Sequence, residues 1–159
     1  MGYFMSSSQT VFTQSAMEVY NFVSDPGNWG STYKGSGGVH QELELPLKVG
    51  DTWSELVTLD ENTYRSDWVL VTAVPGRLWE FRQVDKIGQS ADGEGGVDGV
   101  TTITYEFSDA GEGLTLFTRT LKCTTPKGVG IPDDLLTVRA RPDGIDRYHE
   151  AIKARLNEK

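Results

Sequence analysis

Between Thr52 and Thr124 the chain alternates apolar and polar residues in short runs, the pattern of strands with one buried face. The clearest run spans residues 101–107, where Ile103, Tyr105 and Phe107 alternate with Thr102, Thr104 and Glu106. An earlier run places Trp53, Glu55, Val57 and Leu59 on one face. Residues 64–74, 78–84 and 114–124 read as further strands, with turns at 60–62, Pro75-Gly76 and 109–113. Residues 2–12 carry a weaker strand pattern, and 39–45 alternate loosely up to Pro46. The period changes at the end of the chain. Ile145, Tyr148, Ile152 and Leu156 are spaced by three, four and four, which predicts one apolar face of a helix over 142–156. Arg147 and Glu150 fall on its polar side, and Pro142-Asp143 suits its start.

Two shorter helices are predicted near the beginning. Ser15-Ala16-Met17-Glu18 is a capping box, with Val19, Tyr20, Phe22 and Val23 as the apolar side of the helix it opens. Asp25-Pro26 ends that helix and starts a short one through Trp29 to Tyr33. Leu135, Leu136 and Val138 begin a helix that Pro142 interrupts or restarts. Residues 86–99, rich in glycine and acids, are expected to be a mobile hairpin loop with no ligand role. The order is strand, two short helices, about six strands and a long helix. Short turns between consecutive strands favour antiparallel pairing. The expected fold is α+β: a curved antiparallel sheet of about seven strands wrapped around the last helix, in one domain over 1–159.

Charge and composition narrow the functions. The 159 residues carry a net charge of -8 and the pI is about 4.7. That balance opposes a nucleic-acid surface or docking on anionic lipid. No run is long enough to span a membrane, and Met1 to Thr10 is too polar for a signal peptide. A single cysteine, Cys123, excludes an internal disulfide and fits a reducing compartment, so a cytoplasmic location is expected. No zinc-type or EF-hand spacing is present, and 94–99 lacks the Gly-Lys-Ser/Thr ending of a phosphate loop. No metal and no cofactor is expected, and the sequence leaves a homodimer open.

Several stretches resemble the START/Bet v 1-like (SRPBCC) superfamily, in its polyketide cyclase/dehydrase branch. They are Ser15-Ala16-Met17-Glu18-Val19-Tyr20-Asn21-Phe22-Val23-Ser24-Asp25-Pro26-Gly27-Asn28-Trp29, Val49-Gly50-Asp51-Thr52-Trp53, Pro75-Gly76-Arg77-Leu78-Trp79-Glu80-Phe81 and Thr101-Thr102-Ile103-Thr104-Tyr105-Glu106-Phe107. The resemblance implies a helix-grip fold with a deep, largely apolar cavity between sheet and last helix. That superfamily includes cyclases, dehydratases, lipid carriers and hormone receptors. None of the matching stretches is a catalytic signature, so no catalytic residue is carried over.

Apolar cavities take their specificity from a few polar groups. Glu55, Tyr105 and His149 are the candidates for moving protons. Glu55 is either a semi-buried carboxylate with a raised pKa or the partner of an arginine such as Arg82 or Arg119. Tyr105 is core, with a hydroxyl able to reach a ligand. His149 points either into the cavity or into water at the helix edge. Trp29, Tyr33, His40, Trp53, Tyr64, Trp79, Phe81, Arg82, Ile103, Phe107, Arg119, Tyr148 and Ile152 are the candidate ligand contacts. Three functions fit: an enzyme of lyase or isomerase type that cyclises or dehydrates a small hydrophobic, aromatic or polyketide-like molecule; a carrier of such a ligand; or a module that holds a protein partner in the same groove.

Overall fold

Tyr3–Phe12 forms β1, whose inward residues include Phe4, Ser6 and Phe12. Helix α1, Ala16–Val23, follows, and its capping box is formed: the Glu18 amide donates to Ser15 Oγ, and the Ser15 amide donates to Glu18 Oε2. Such a cap is worth about 1 kcal/mol. A single 3-10 turn, Pro26–Asn28, leads into α2, Trp29–Thr32. The remaining strands are β2 (Thr52–Leu59), β3 (Asn62–Val74), β4 (Leu78–Gln83), β5 (Lys86–Ile87), β6 (Gln89–Ser90), β7 (Val97–Asp98), β8 (Val100–Gly111) and β9 (Leu114–Thr124). Helices α3, Asp133–Arg139, and α4, Pro142–Asn157, close the chain. This computed structural model describes all residues except Lys34, Asp60, Asp85, Ala140, Arg141 and Lys159, and only the backbone of 137–139 and 142–144.

The main sheet runs β1-β9-β8-β4-β3-β2, antiparallel throughout, with β6 added beside β3. Irregularities between Leu70 and Thr72 and between Asp109 and Gly111 bend the long strands, and the sheet curls into a half-barrel. Helix α4 lies in its concave side. Ile145, Tyr148, Ile152 and Leu156 are buried there, while Arg147 and Glu150 are exposed, as the three-four-four spacing requires. The concave face also carries Trp53, Trp68, Trp79, Phe81, Tyr105 and Phe117, whose rings pack at centroid distances of 4.9–5.8 Å.

Two segments differ from the sequence expectation. Residues 39–45 form no strand. The segment's backbone contributes nothing to the ladder; instead Gln41 places its side-chain oxygen 2.8 Å from the Ser54 amide at the sheet edge. An isolated bridge between Ser36 and Val57 is the nearest approach to pairing. Residues 86–99, expected to be a mobile loop, fold back on the protein. Ile87 is fully buried, β5 pairs with β7, and β6 pairs with Tyr64 and Arg65 of β3. Ile87 is the anchor of this segment, with Val97 packed on the core and Gln89 buried beside it. Gly88, at φ +74°, lets the backbone pass beneath Leu135 of α3, where a Cβ would stand 2.5 Å from a Leu135 methyl.

Candidate functional site

A partly enclosed cavity of about 80 Å³ lies between the concave sheet face, α2 and α4. That is room for roughly six waters. Its lining is built by alternation: β8 contributes Thr101, Ile103 and Tyr105, β9 contributes Arg119 and Leu121, and β2 contributes Glu55, Val57 and Leu59. Ser66 and Trp68 come from β3, Phe81 from β4, and Ile145 and Tyr148 from α4. Trp29 and Tyr33 approach from α2 and its end. Most of this surface is aromatic or aliphatic.

One carboxyl group and one guanidinium stand among these residues, with three strands between them in the sheet. Glu55 is 7% exposed. It accepts hydrogen bonds from Ser36 Oγ at 2.8 Å and Trp68 Nε1 at 3.4 Å. Arg119 is 6% exposed and pairs in register with Tyr105, so both side chains share the concave face. Its guanidinium lies 5.8 Å from the ring centres of both Tyr33 and Tyr148. Each such cation–π contact is worth about 0.5–2 kcal/mol. Burial pulls the Arg119 pKa down, but Tyr105, Tyr33 and Tyr148 more than offset it, so the group stays cationic.

Tyr105 and Tyr148 bring their hydroxyls within 3.3 Å of each other beside this cation. Burial raises the pKa of both, for Tyr148 well above the ordinary phenol value. Both hydroxyls are therefore protonated at neutral pH and available as donors. The site can hold an apolar body by its rings, a negative group at the Arg119 end and a donor at Glu55.

The structure brings Glu55, Tyr105, Trp29, Tyr33, Phe81, Ile103, Arg119 and Tyr148 together in the cavity, all candidates from the sequence. It places the other candidates elsewhere. His149 is buried rather than at a wet helix edge, at 2% exposure, yet it packs edge-on against Phe117 at 5.0 Å and does not line the cavity. Trp53 and Trp79 stack on each other behind Phe81 and Trp29. Phe107 packs against Tyr20 of α1, and Ile152 is sealed in the helix–sheet core. Arg82 sits on the opposite face of β4, 3.7 Å from Glu80. Tyr64 directs its hydroxyl to Asp134 at 2.7 Å, and His40 is exposed.

Sequence reasoning passed over Val57, Leu59 and Ile145 of the lining, Ser36, which bonds Glu55, and Ser66, Trp68, Thr101 and Leu121 as contacts. Strand phase held the signal for the last four: Ser66 and Trp68 alternate with Asp67, Thr101 precedes Ile103 by two, and Leu121 follows Arg119 by two. Ser36 comes from a loop, where no period exists to find it. Among the described residues, no group of three or more His, Cys, Asp or Glu side chains could hold a metal ion. No described helix is long and apolar enough to cross a membrane.

The chain superposes over nearly its whole length on solved structures. Ara h 8.0201 matches with a TM-score of 0.70 at 9% identity, covering 99% of this chain and 100% of that one. A START superfamily protein from Mycobacterium smegmatis matches at 0.68 and 12%, covering 99% of each. The fold is the START/Bet v 1 helix-grip. Ginseng major latex-like protein 151 from Panax ginseng shares it at 0.65 and 17% identity, with 96% and 97% coverage. No protein-family model matches the sequence. No curated protein matches it either. At these identities the START/Bet v 1 likeness describes the backbone, and the chemistry must be read from the cavity itself.

Proposed function

We propose that this protein binds a small hydrophobic, ring-containing molecule in the cavity between the curved sheet and α4. The observation that carries this reading is the lining: a cavity inside the fold, walled by Trp29, Phe81, Trp68 and Ile103, with Glu55 and Arg119 both buried in it. A buried charged pair of groups at separate points of an apolar pocket is costly to maintain for packing alone. Proteins of known structure with this fold include a plant major latex-like protein and a START superfamily protein, which is consistent with a ligand-holding role. The cavity of about 80 Å³ is smaller than a ring with substituents needs, so binding requires the α2 side to open.

Catalysis by cyclisation or dehydration is the second reading, favoured by one observation. Glu55, an acceptor, and Tyr105, a donor, share the same apolar space, as proton exchange with a bound molecule requires. Extraction and mass spectrometry of small molecules retained by the purified protein test the binding reading. A ring-containing compound retained by the wild type and absent from Ile103→Trp, which fills the cavity, is the expected result. Equal retention by both proteins contradicts it. With the ligand in hand, Glu55→Gln separates the two readings: lost turnover at retained affinity means catalysis, and an absence of turnover in the wild type means a carrier.

A further inference from the structure

Arg119 is held in an arrangement that is incomplete without a ligand. A buried guanidinium carries five N–H donors and a charge that cannot be neutralised by losing a proton. Such a group in a protein interior is normally matched by a carboxylate. Among the described residues, none lies within ion-pairing distance of Arg119. Among the described residues its Nε has no hydrogen-bond partner, although the residue is 94% buried. What surrounds it instead is aromatic: the rings of Tyr33 and Tyr148 at 5.8 Å, and Tyr105 within hydrogen-bonding reach. Two ring faces steady a cation without using its N–H groups, so apart from the contact with Tyr105 the donor fork is left for something else.

The hydroxyls next to it have the same polarity. Tyr105 and Tyr148 lie 3.3 Å apart, so one donates to the other and a proton remains to be offered outward. Arg119, Tyr105 and Tyr148 all line the same cavity. The guanidinium and the one hydroxyl proton left free therefore converge on one end of an apolar pocket. The only acid lining the cavity among the described residues, Glu55, comes from β2, with β3, β4 and β8 between it and β9.

We infer that the ligand is a single-ring aromatic acid, whose carboxylate is bound by Arg119 with Tyr105 and Tyr148 while its ring lies against Ile103, Phe81 and Trp68. This deepens the binding function proposed above and rests on it. The planar guanidinium matches a carboxylate with two parallel hydrogen bonds, a match that a neutral amide of the same shape cannot reproduce. Glu55 gives the pocket its direction, because it repels a carboxylate presented in the reverse orientation.

Phenylacetate and phenylacetamide have nearly the same shape and differ in charge, and their affinities can be measured by calorimetry against the wild type, Arg119→Met, Arg119→Lys and Ile103→Trp. The expected preference of the wild type for the acid is on the order of tenfold to a hundredfold, the value of a charge-assisted hydrogen-bonded contact. Arg119→Met removes that preference and keeps amide binding, Arg119→Lys keeps part of it, and Ile103→Trp abolishes binding of both. Equal affinity of the wild type for acid and amide, with both lost in Ile103→Trp, overturns the acid assignment and leaves the cavity reading standing. Binding of neither compound, or binding untouched by Ile103→Trp, overturns the cavity reading and the acid assignment with it. The comparison within the wild type decides the matter even if Arg119→Met does not fold.

Discussion

The hydroxyl of Tyr105, at the middle of β8, lies 3.3 Å from the hydroxyl of Tyr148 on α4. This contact joins sheet to helix across the cavity, and it places two phenols next to the Arg119 guanidinium. Tyr105→Phe removes the hydroxyl and preserves the ring packing against Trp79 and Phe117. A loss of about 1 kcal/mol in unfolding free energy is expected by urea denaturation, the net value of one buried hydrogen bond. A loss several times larger would show that Tyr105 holds α4 in place by more than this contact.

His149 makes the protein sensitive to acid. Its pKa is lowered to about 4, first by burial and then by the nearby Arg119 charge, with Asp146 opposing. Among the described residues neither buried ring nitrogen has a hydrogen-bond partner, so in the folded state only the Asp146 charge favours protonation. The unfolded chain binds this proton near pH 6.5 and the folded one only near pH 4. The folded state is therefore favoured above pH 6.5, and this contribution is lost as pH falls through the window to 4. The linkage is worth about 3 kcal/mol in full. From pH 7 to 4 the denaturation midpoint of the wild type should fall further than that of His149→Gln, because the variant lacks this proton uptake. Parallel pH profiles would contradict the assignment.

Gln83 is fully buried on the concave side of β4, with neither amide atom hydrogen-bonded among the described residues. A buried unsatisfied amide costs about 1–3 kcal/mol. Gln83→Leu, similar in volume, is expected to raise stability by an amount in that range, read as a higher denaturation midpoint. Lower stability in the variant would show that the amide is bonded to internal water.

The segment 86–99 separates anchored from dispensable chain. Ile87→Ala is expected to destabilise by about 2–5 kcal/mol, as for other large-to-small core changes. Deletion of Ala91 to Gly95, which lies at the exposed tip, should cost less than about 1 kcal/mol, since closure entropy varies slowly with loop length. Equal costs for the two changes would contradict the fold-back arrangement of this segment.

Alternation carried most of the architecture. Trp53 through Leu59 and Ile103 through Phe107 declared their faces, and the spacing of Ile145, Tyr148, Ile152 and Leu156 declared the helix that the sheet holds. Residues 86–99 were misread because the buried residue that alternates with Ile87 is the polar Gln89, which leaves no apolar period, and pairing with β3 is a long-range event. Within the site, strand phase tells which side chains share a face but not how deep along the strand the cavity reaches. Ile103 and Tyr105 therefore line it while Phe107, on the same face, is taken up by Tyr20. His149 stands next to Tyr148 in sequence, but one helical step of about 100° turns it from the cavity toward Phe117.

The four tryptophans test most directly whether the cavity is the ligand site. Trp29 lines it, whereas Trp53 instead borders a separate groove with Ser54, Asp67 and Gln89. Titration with benzyl alcohol, a neutral single-ring probe, can be followed through the four indole N–H resonances in a two-dimensional NMR spectrum. The account predicts saturable shifts largest for Trp29 and Trp68, the two tryptophans that line the cavity, and abolished in Ile103→Trp. Saturable shifts centred on Trp53, with Trp29 unmoved, would contradict it.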